Sequence, residues 1–163
     1  MDITKEFTDL KLLIEQLGEG ARSYFYSDIN PNTQKTDGSV VTAVDESIER
    51  KLRAHIETRF PHDTIVGEEG DTKYGESGFV WYIDPIDGTD NFVRKIPFFA
   101  VTVTRLGPTA EDSLAIVHNP VSRQTFASLM EDGAYENENV CVLTADTIGD
   151  KHFITVSANT RLG

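Results

Sequence analysis

Trp81-Tyr82-Ile83-Asp84-Pro85-Ile86-Asp87-Gly88-Thr89-Asp90-Asn91-Phe92 is the stretch around which this 163-residue chain is organised. An apolar run ends in two carboxylates three positions apart. A Gly-Thr pair follows, and then what reads as the first turn of a helix. The run predicts a buried strand. Pro85 biases the residue before it toward an extended backbone, so Asp84 is the expected last strand residue. Gly88 permits a backbone angle that other residues avoid, or a close approach of a ligand to the main chain. The amides after it open outward, as at an anion-binding helix start. The stretch therefore offers oxygen ligands for a hard cation beside a main-chain site for phosphate.

Upstream, Ile3, Phe7, Leu10, Ile14, Leu17, Ala21 and Phe25 fall at three- and four-residue steps, which predicts an amphipathic helix over 3–26. Gly18 and Gly20 weaken its middle. Residues 27–41 read as a polar loop, with Asn30-Pro31-Asn32, Asp37-Gly38 and Lys35 in it. A lysine there is solvated unless an anion site lies nearby. Val40 to Val44 is short and β-branched. A second helix follows, with Ile48, Leu52 and Ile56 inward and Glu46, Glu49, Arg50 and Arg53 on a charged outer face. Asp45 or Thr42 could cap it, and Pro61 stops it. Thr64-Ile65-Val66 then reads as a strand running into Gly67-Glu68-Glu69-Gly70, a tight bend that presents a carboxylate.

Downstream, 98–106, 113–118, 125–129 and 138–143 read as strands separated by Pro108, Asn119-Pro120 and Asp132-Gly133. Another begins at Phe153–Val156. Short connections favour an antiparallel meander. The expected class is α+β, with two amphipathic helices packed on one face of a mainly antiparallel sheet.

Composition limits the functions open to such a domain. Apolar content of 39% and charged content of 26% are an ordinary globular balance. A chain of this size buries roughly 70% of its unfolded surface, enough for one real core. The formal net charge of −12, from 27 acids and 15 bases, argues against a nucleic-acid surface. It also disfavours an anionic substrate unless bound metal inverts the local field. A single cysteine, Cys141, forms no internal disulfide and fits a reducing compartment. No apolar run has the length of a membrane helix, and residues 1–5 lack a signal pattern. A cytoplasmic protein with no membrane partner is expected.

Asp84 and Asp87 carry the chemistry. Two carboxylates about 4 Å apart repel by ~1 kcal/mol in water and ~4 kcal/mol at an effective dielectric of 20. Without a cation, one should take up a proton. Mg²⁺ takes such oxygen ligands and often shares them with substrate phosphates. The competing reading makes both acids caps. The flanking strand and the Gly-Thr turn favour metal. A calcium hand fails, because its third and sixth places would be Ile86 and Thr89. Glu68, from another strand end, would complete a two-metal carboxylate set, with Glu69 solvent-facing or behind it. Thr89 and Asp45 form a second pair, in which a hydroxyl relayed to a carboxylate could activate water. Asp45 as a simple helix cap remains the alternative. None of the four histidines has metal-ligand spacing with another. Cys141, in a β-branched strand, is expected to be a buried inert thiol.

Three motifs then meet a known pattern in order: Val41-Thr42-Ala43-Val44-Asp45 with Glu49; Gly67-Glu68-Glu69; and Asp84-Pro85-Ile86-Asp87-Gly88-Thr89-Asp90-Asn91-Phe92. They resemble the amino-terminal half of the inositol monophosphatase family, the Mg²⁺-dependent, lithium-sensitive sugar phosphatases. Asn119-Pro120 and Gly133-Ala134 also fit, and the resemblance covers nearly the whole chain. It implies hydrolysis of a small polyol or amino-alcohol phosphate by water activated between two metal ions. Glu68, Asp84 and the Ile86 carbonyl would bind the first ion, and Asp84 and Asp87 would share the second. Gly88 and Thr89 would hold phosphate through main-chain amides, Thr89 with Asp45 would activate the water, and Lys35 would lie over the site. A homodimer is implied as well. Relatives continue into a second α/β domain, whose Trp-Asp motif supplies a further metal ligand and most substrate contacts. On that resemblance, residues 1–163 form one amino-terminal metal-binding domain without that carboxy-terminal domain, and weak turnover is expected of them alone.

Three rivals stay open. Asn91-Phe92-Val93-Arg94 with Ile96-Pro97 slightly resembles histidinol-phosphatase members, and fructose-1,6-bisphosphatase activity falls within the same family. Haloacid-dehalogenase phosphatases end a buried strand in Asp-x-Asp-Gly-Thr and use the first aspartate as nucleophile; here two residues separate the acids, not one. An inactive structural or dimerising fragment is the non-enzyme reading.

Overall fold

The computed structural model describes residues 3–28, 32–34, 40–109, 112–129 and 133–141. Lys35 and the strand expected at Phe153–Val156 lie outside them. Helix α1 (Ile3–Phe25) buries Leu10, Ile14, Leu17, Ala21 and Phe25, the face its spacing predicts. Gly18 has a packing role: a Cβ there would lie 2.5 Å from the His118 ring. The helix end is held from outside, because Lys95 Nζ donates to the carbonyls of Tyr24, Phe25 and Ser27. Cations at a helix C-terminus meet both the orphan carbonyls and the dipole.

Strands β1 (Asn32–Gln34) and β2 (Val40–Thr42) form a separate antiparallel pair. The polar loop expected over 27–41 therefore contains a strand, which a run without apolar alternation does not advertise. Helix α2 (Ala43–Arg59) ends just before Pro61. Five strands then follow: β3 (Thr64–Gly67), β4 (Val80–Asp87), β5 (Ala100–Leu106), β6 (Leu114–Asn119) and β7 (Gln124–Leu129). Beyond them come β8 (Gly133–Glu136) and β9 (Asn139–Val140), completing a seven-stranded sheet in sequence order. β3 is parallel to β4; every later pair is antiparallel.

The α+β expectation holds, and the meander is present. Within the strand expected over 138–143, Asn139–Val140 form β9, which pairs with β8 in a hairpin turning at Asn137, whose φ is 54°, while residues 142–143 lie outside the described residues. Gly133, expected to separate strands, opens β8 with φ 93°. Cys141 is exposed, not buried, because it lies just beyond the edge strand β9, past the helix-covered part of the sheet.

One sheet face meets the helices. Trp81, Ile83, Val101, Val103, Leu114, Ile116 and Ala127 point inward against Ile14, Leu52 and Ile56. The inward set also holds a buried ion pair. Asp63 Oδ2 accepts from Arg105 Nε and Nη2 at 3.0 and 2.9 Å and from Trp81 Nε1 at 2.9 Å. Arg105 lies 3.7 Å over the Phe79 ring.

Candidate metal and phosphate site

Strand β4 does not stop at Asp84; it continues to Asp87 through a bulge. Asp84 pairs with Thr102, and Asp87 with Ala100, so three steps on β4 oppose two on β5. Proline supplies no N–H for a ladder bond, and bulges are where a sheet accepts it. In a regular strand, residues three apart face opposite ways. The extra residue restores the phase. Tyr82, Asp84 and Asp87 lie on the outer side, while Trp81, Ile83 and Ile86 are buried. The bulge thus turns Asp-x-x-Asp into two acids on one side.

Electrostatics show how close the acids are. The Asp84 carboxyl is pushed up to about 8, by burial first and then by the charges of Glu68 and Asp87, a hydrogen bond with Glu68 and the charge of Asp45. Asp87 from the same strand, Asp45 from α2 and Glu68 from the bend after β3 therefore all act on Asp84. The upward direction is the one expected of a carboxylate crowded by like charges without a cation. Asp84 Oδ1 is buried and has no hydrogen-bond partner.

Glu68 follows β3, on an exposed bend beside Asp84. The bend is held from α2. Glu49 is 2% exposed, and its carboxylate accepts the amides of Glu69 at 2.7 Å and Gly70 at 2.9 Å. Arg53 Nε donates to it at 2.7 Å. Placing Glu49 on the charged outer face was therefore incorrect. Asp45, Ile48, Glu49, Leu52 and Ile56 follow one helical stripe, and that periodicity carried the signal. Asp45 is fully buried and lies two residues inside α2, so it sits in the first turn and not at the cap.

Gly88 takes the left-handed conformation, φ 92°, and starts the short helix α3 (Thr89–Val93) without any side-chain cap. Asp87 is therefore not the cap its alternative reading required. The Thr89 hydroxyl donates to the Ile86 carbonyl at 3.0 Å, the carbonyl that the family resemblance assigns to metal. Asp45 is near enough for its charge to act on Asp84.

The donor types here are those a hard cation takes. The donors are carboxylate oxygens, and one of them, Asp84 Oδ1, is buried and unpartnered. Among the described residues, no three Asp, Glu, His or Cys side chains cage an ion as they stand. Also among them, no helix is long and apolar enough to cross a membrane.

The model of the inositol monophosphatase family matches residues 5–161. This chain belongs to the inositol monophosphatase family. It is 27% identical over 150 residues to the inositol-1-monophosphatase of Bacillus subtilis, covering 91% of this chain and 56% of that protein. It is 33% identical over 119 residues to the Nus factor SuhB of Escherichia coli, covering 72% of this chain and 44% of the relative. The fold superposes on the Thermotoga maritima IMPase with a TM-score of 0.71 and 26% identity, covering 90% of this chain and 55% of that one. The chain spans about half the length of the curated relatives it matches. As an inositol monophosphatase family member, it is set apart from the haloacid-dehalogenase phosphatases considered as a rival.

Proposed function

We propose that the protein carrying this chain is a Mg²⁺-dependent phosphomonoesterase acting on a small polyol or amino-alcohol phosphate. The observation that carries this reading is Asp84: a half-buried carboxyl, crowded by Glu68, Asp87 and Asp45, whose Oδ1 is buried and unpartnered. Uncompensated, such a cluster costs free energy; a divalent cation removes the repulsion.

Glu68, Asp84, Asp87 and the Ile86 carbonyl would hold the metal. Bound magnesium would supply positive charge for the phosphate and lower the proton affinity of the attacking water. This chain's own groups do the rest. Gly88, in a left-handed backbone, and Thr89 would offer their main-chain amides to the phosphate. Thr89 would turn its hydroxyl from the Ile86 carbonyl toward water, and Asp45 would accept the proton. Lys35 would add a positive charge over the anion. Asp84, neutral without metal, would release its proton as metal binds.

Substrate assignment rests on the relatives' names, with histidinol phosphate and fructose 1,6-bisphosphate as the alternatives within the family. Weak turnover is proposed for residues 1–163 alone, which span about half the length of the curated relatives. The second reading is an inactive structural or dimerising unit.

Calorimetric titration with Mg²⁺, paired with phosphate release from inositol 1-phosphate, histidinol phosphate and fructose 1,6-bisphosphate, separates these readings. Millimolar or tighter Mg²⁺ binding that Asp84→Asn abolishes is expected. No heat at millimolar metal would overturn the metal reading and leave the structural one. Robust turnover would overturn the claim of weak activity.

A further inference from the structure

Glu49 touches neither end of the proposed chemistry, yet it is among the most completely buried charged side chains of the domain, 2% exposed. A buried carboxylate persists only when its oxygens are taken. Oε2 accepts the Glu69 amide at 2.7 Å, and Oε1 accepts the Gly70 amide at 2.9 Å and Arg53 Nε at 2.7 Å. Arg53 then donates through Nη2 to the Gly70 carbonyl at 3.0 Å. The bend is thus tied from α2 through two successive N–H groups and one C=O.

The glycines admit this approach. A Cβ at Gly67 would fall 2.1 Å from Glu49 Oε1 and 2.6 Å from Arg53 Nη2. At Gly70 it would fall 3.0 Å from the same carboxylate oxygen. Glu68 lies between Gly67 and the two tied amides. Its side chain is exposed, yet it reaches the Asp84 carboxyl. An exposed acid on a free bend would sample many directions; one whose backbone is fixed on both sides samples few.

We infer that Glu49 is a positioning residue, a latch from α2 that holds the Gly67–Gly70 bend so that Glu68 faces Asp84. The inference rests on the proposed role of Glu68 as a metal ligand. Arg53 completes the latch by holding both Glu49 and the bend.

The test combines Mg²⁺ calorimetry with amide hydrogen exchange at Glu69 and Gly70, on wild type, Glu49→Ala, Glu49→Gln and Gly67→Ala. Wild type should protect both amides. Glu49→Ala should speed their exchange selectively and weaken Mg²⁺ affinity about 10–100-fold, the usual effect of losing a support behind a ligand. Gly67→Ala should act in the same direction while keeping Glu49 and Glu68. Glu49→Gln, with one acceptor oxygen in place of two, should fall between. If Glu49→Ala does not fold, the other two variants decide.

Variants that lower the melting temperature but leave metal affinity and both amides unchanged would overturn the latch. Unprotected amides in wild type would do the same. Wild type that binds no Mg²⁺, with amides protected and then freed by Glu49→Ala, would sink the metal reading and leave the latch on the bend in place.

Discussion

Replacing Asp63 with alanine should be among the most damaging single changes to the fold. Asp63 is 4% exposed. Its Oδ2 takes Arg105 Nε at 3.0 Å, Arg105 Nη2 at 2.9 Å and Trp81 Nε1 at 2.9 Å, and its Oδ1 takes Ser77 Oγ at 2.7 Å. Truncation leaves a guanidinium 8% exposed with no carboxylate and an indole N–H with no acceptor. Breaking a buried pair from one side costs about 3–5 kcal/mol. The Phe79 face, 3.7 Å from the guanidinium, remains and offsets part of that. At about 2–4 °C per kcal/mol for a chain of this size, the melting temperature should fall by roughly 6–20 °C. Urea unfolding followed by fluorescence suits the test, because Trp81 is the only tryptophan and sits in the network. A double variant, Asp63→Leu with Arg105→Met, should lose far less than Asp63→Ala, because no charge is left stranded. A loss under about 1 kcal/mol for Asp63→Ala, or a double variant at the sum of the singles, would refute the reasoning.

Two further outcomes concern pH. His118 and His55 are both held below the usual imidazole range, chiefly by burial. The unfolded chain therefore binds more protons than the folded one as pH falls through about 6.5, and stability should drop on acidification. Urea midpoints from pH 7.5 to 5.5 measure this, and His118→Gln should flatten the slope. Asp84 behaves oppositely. Its folded value of about 8 lies above the ordinary 3.8 of an aspartate, so in EDTA its contribution to stability declines as pH rises between them. Asp84→Asn should then be more stable than wild type at pH 8.5 without metal, with the gap closing toward pH 4. Equal melting temperatures at pH 8.5 would count against the crowding of Asp84.

Much of the architecture is written in local patterns. The helical stripes of α1 and α2 and the alternation of β5, β6 and β7 are visible residue by residue, because each element buries one face and repeats at its own period. The β8–β9 hairpin was hidden, since its turn depends on Asn137 adopting a positive φ, not on apolar alternation. The Asp63–Arg105 pair was equally hidden. Its partners are 42 residues apart, and nothing local says that an arginine on a strand will turn inward.

Residue types and spacing along the chain alone determined the acids at positions 45, 68, 84 and 87, the glycine after the last of them and the family pattern they form. The tertiary structure decided what those acids experience. A bulge at Pro85 puts Asp84 and Asp87 on one side, and α2 and the Gly67–Gly70 bend bring Asp45 and Glu68 to them. Burial then raises Asp84 to about 8, an effect that arises from desolvation and from charges distant in sequence. It also decided that Glu49, on paper one more surface acid, is the side chain that holds the bend in place.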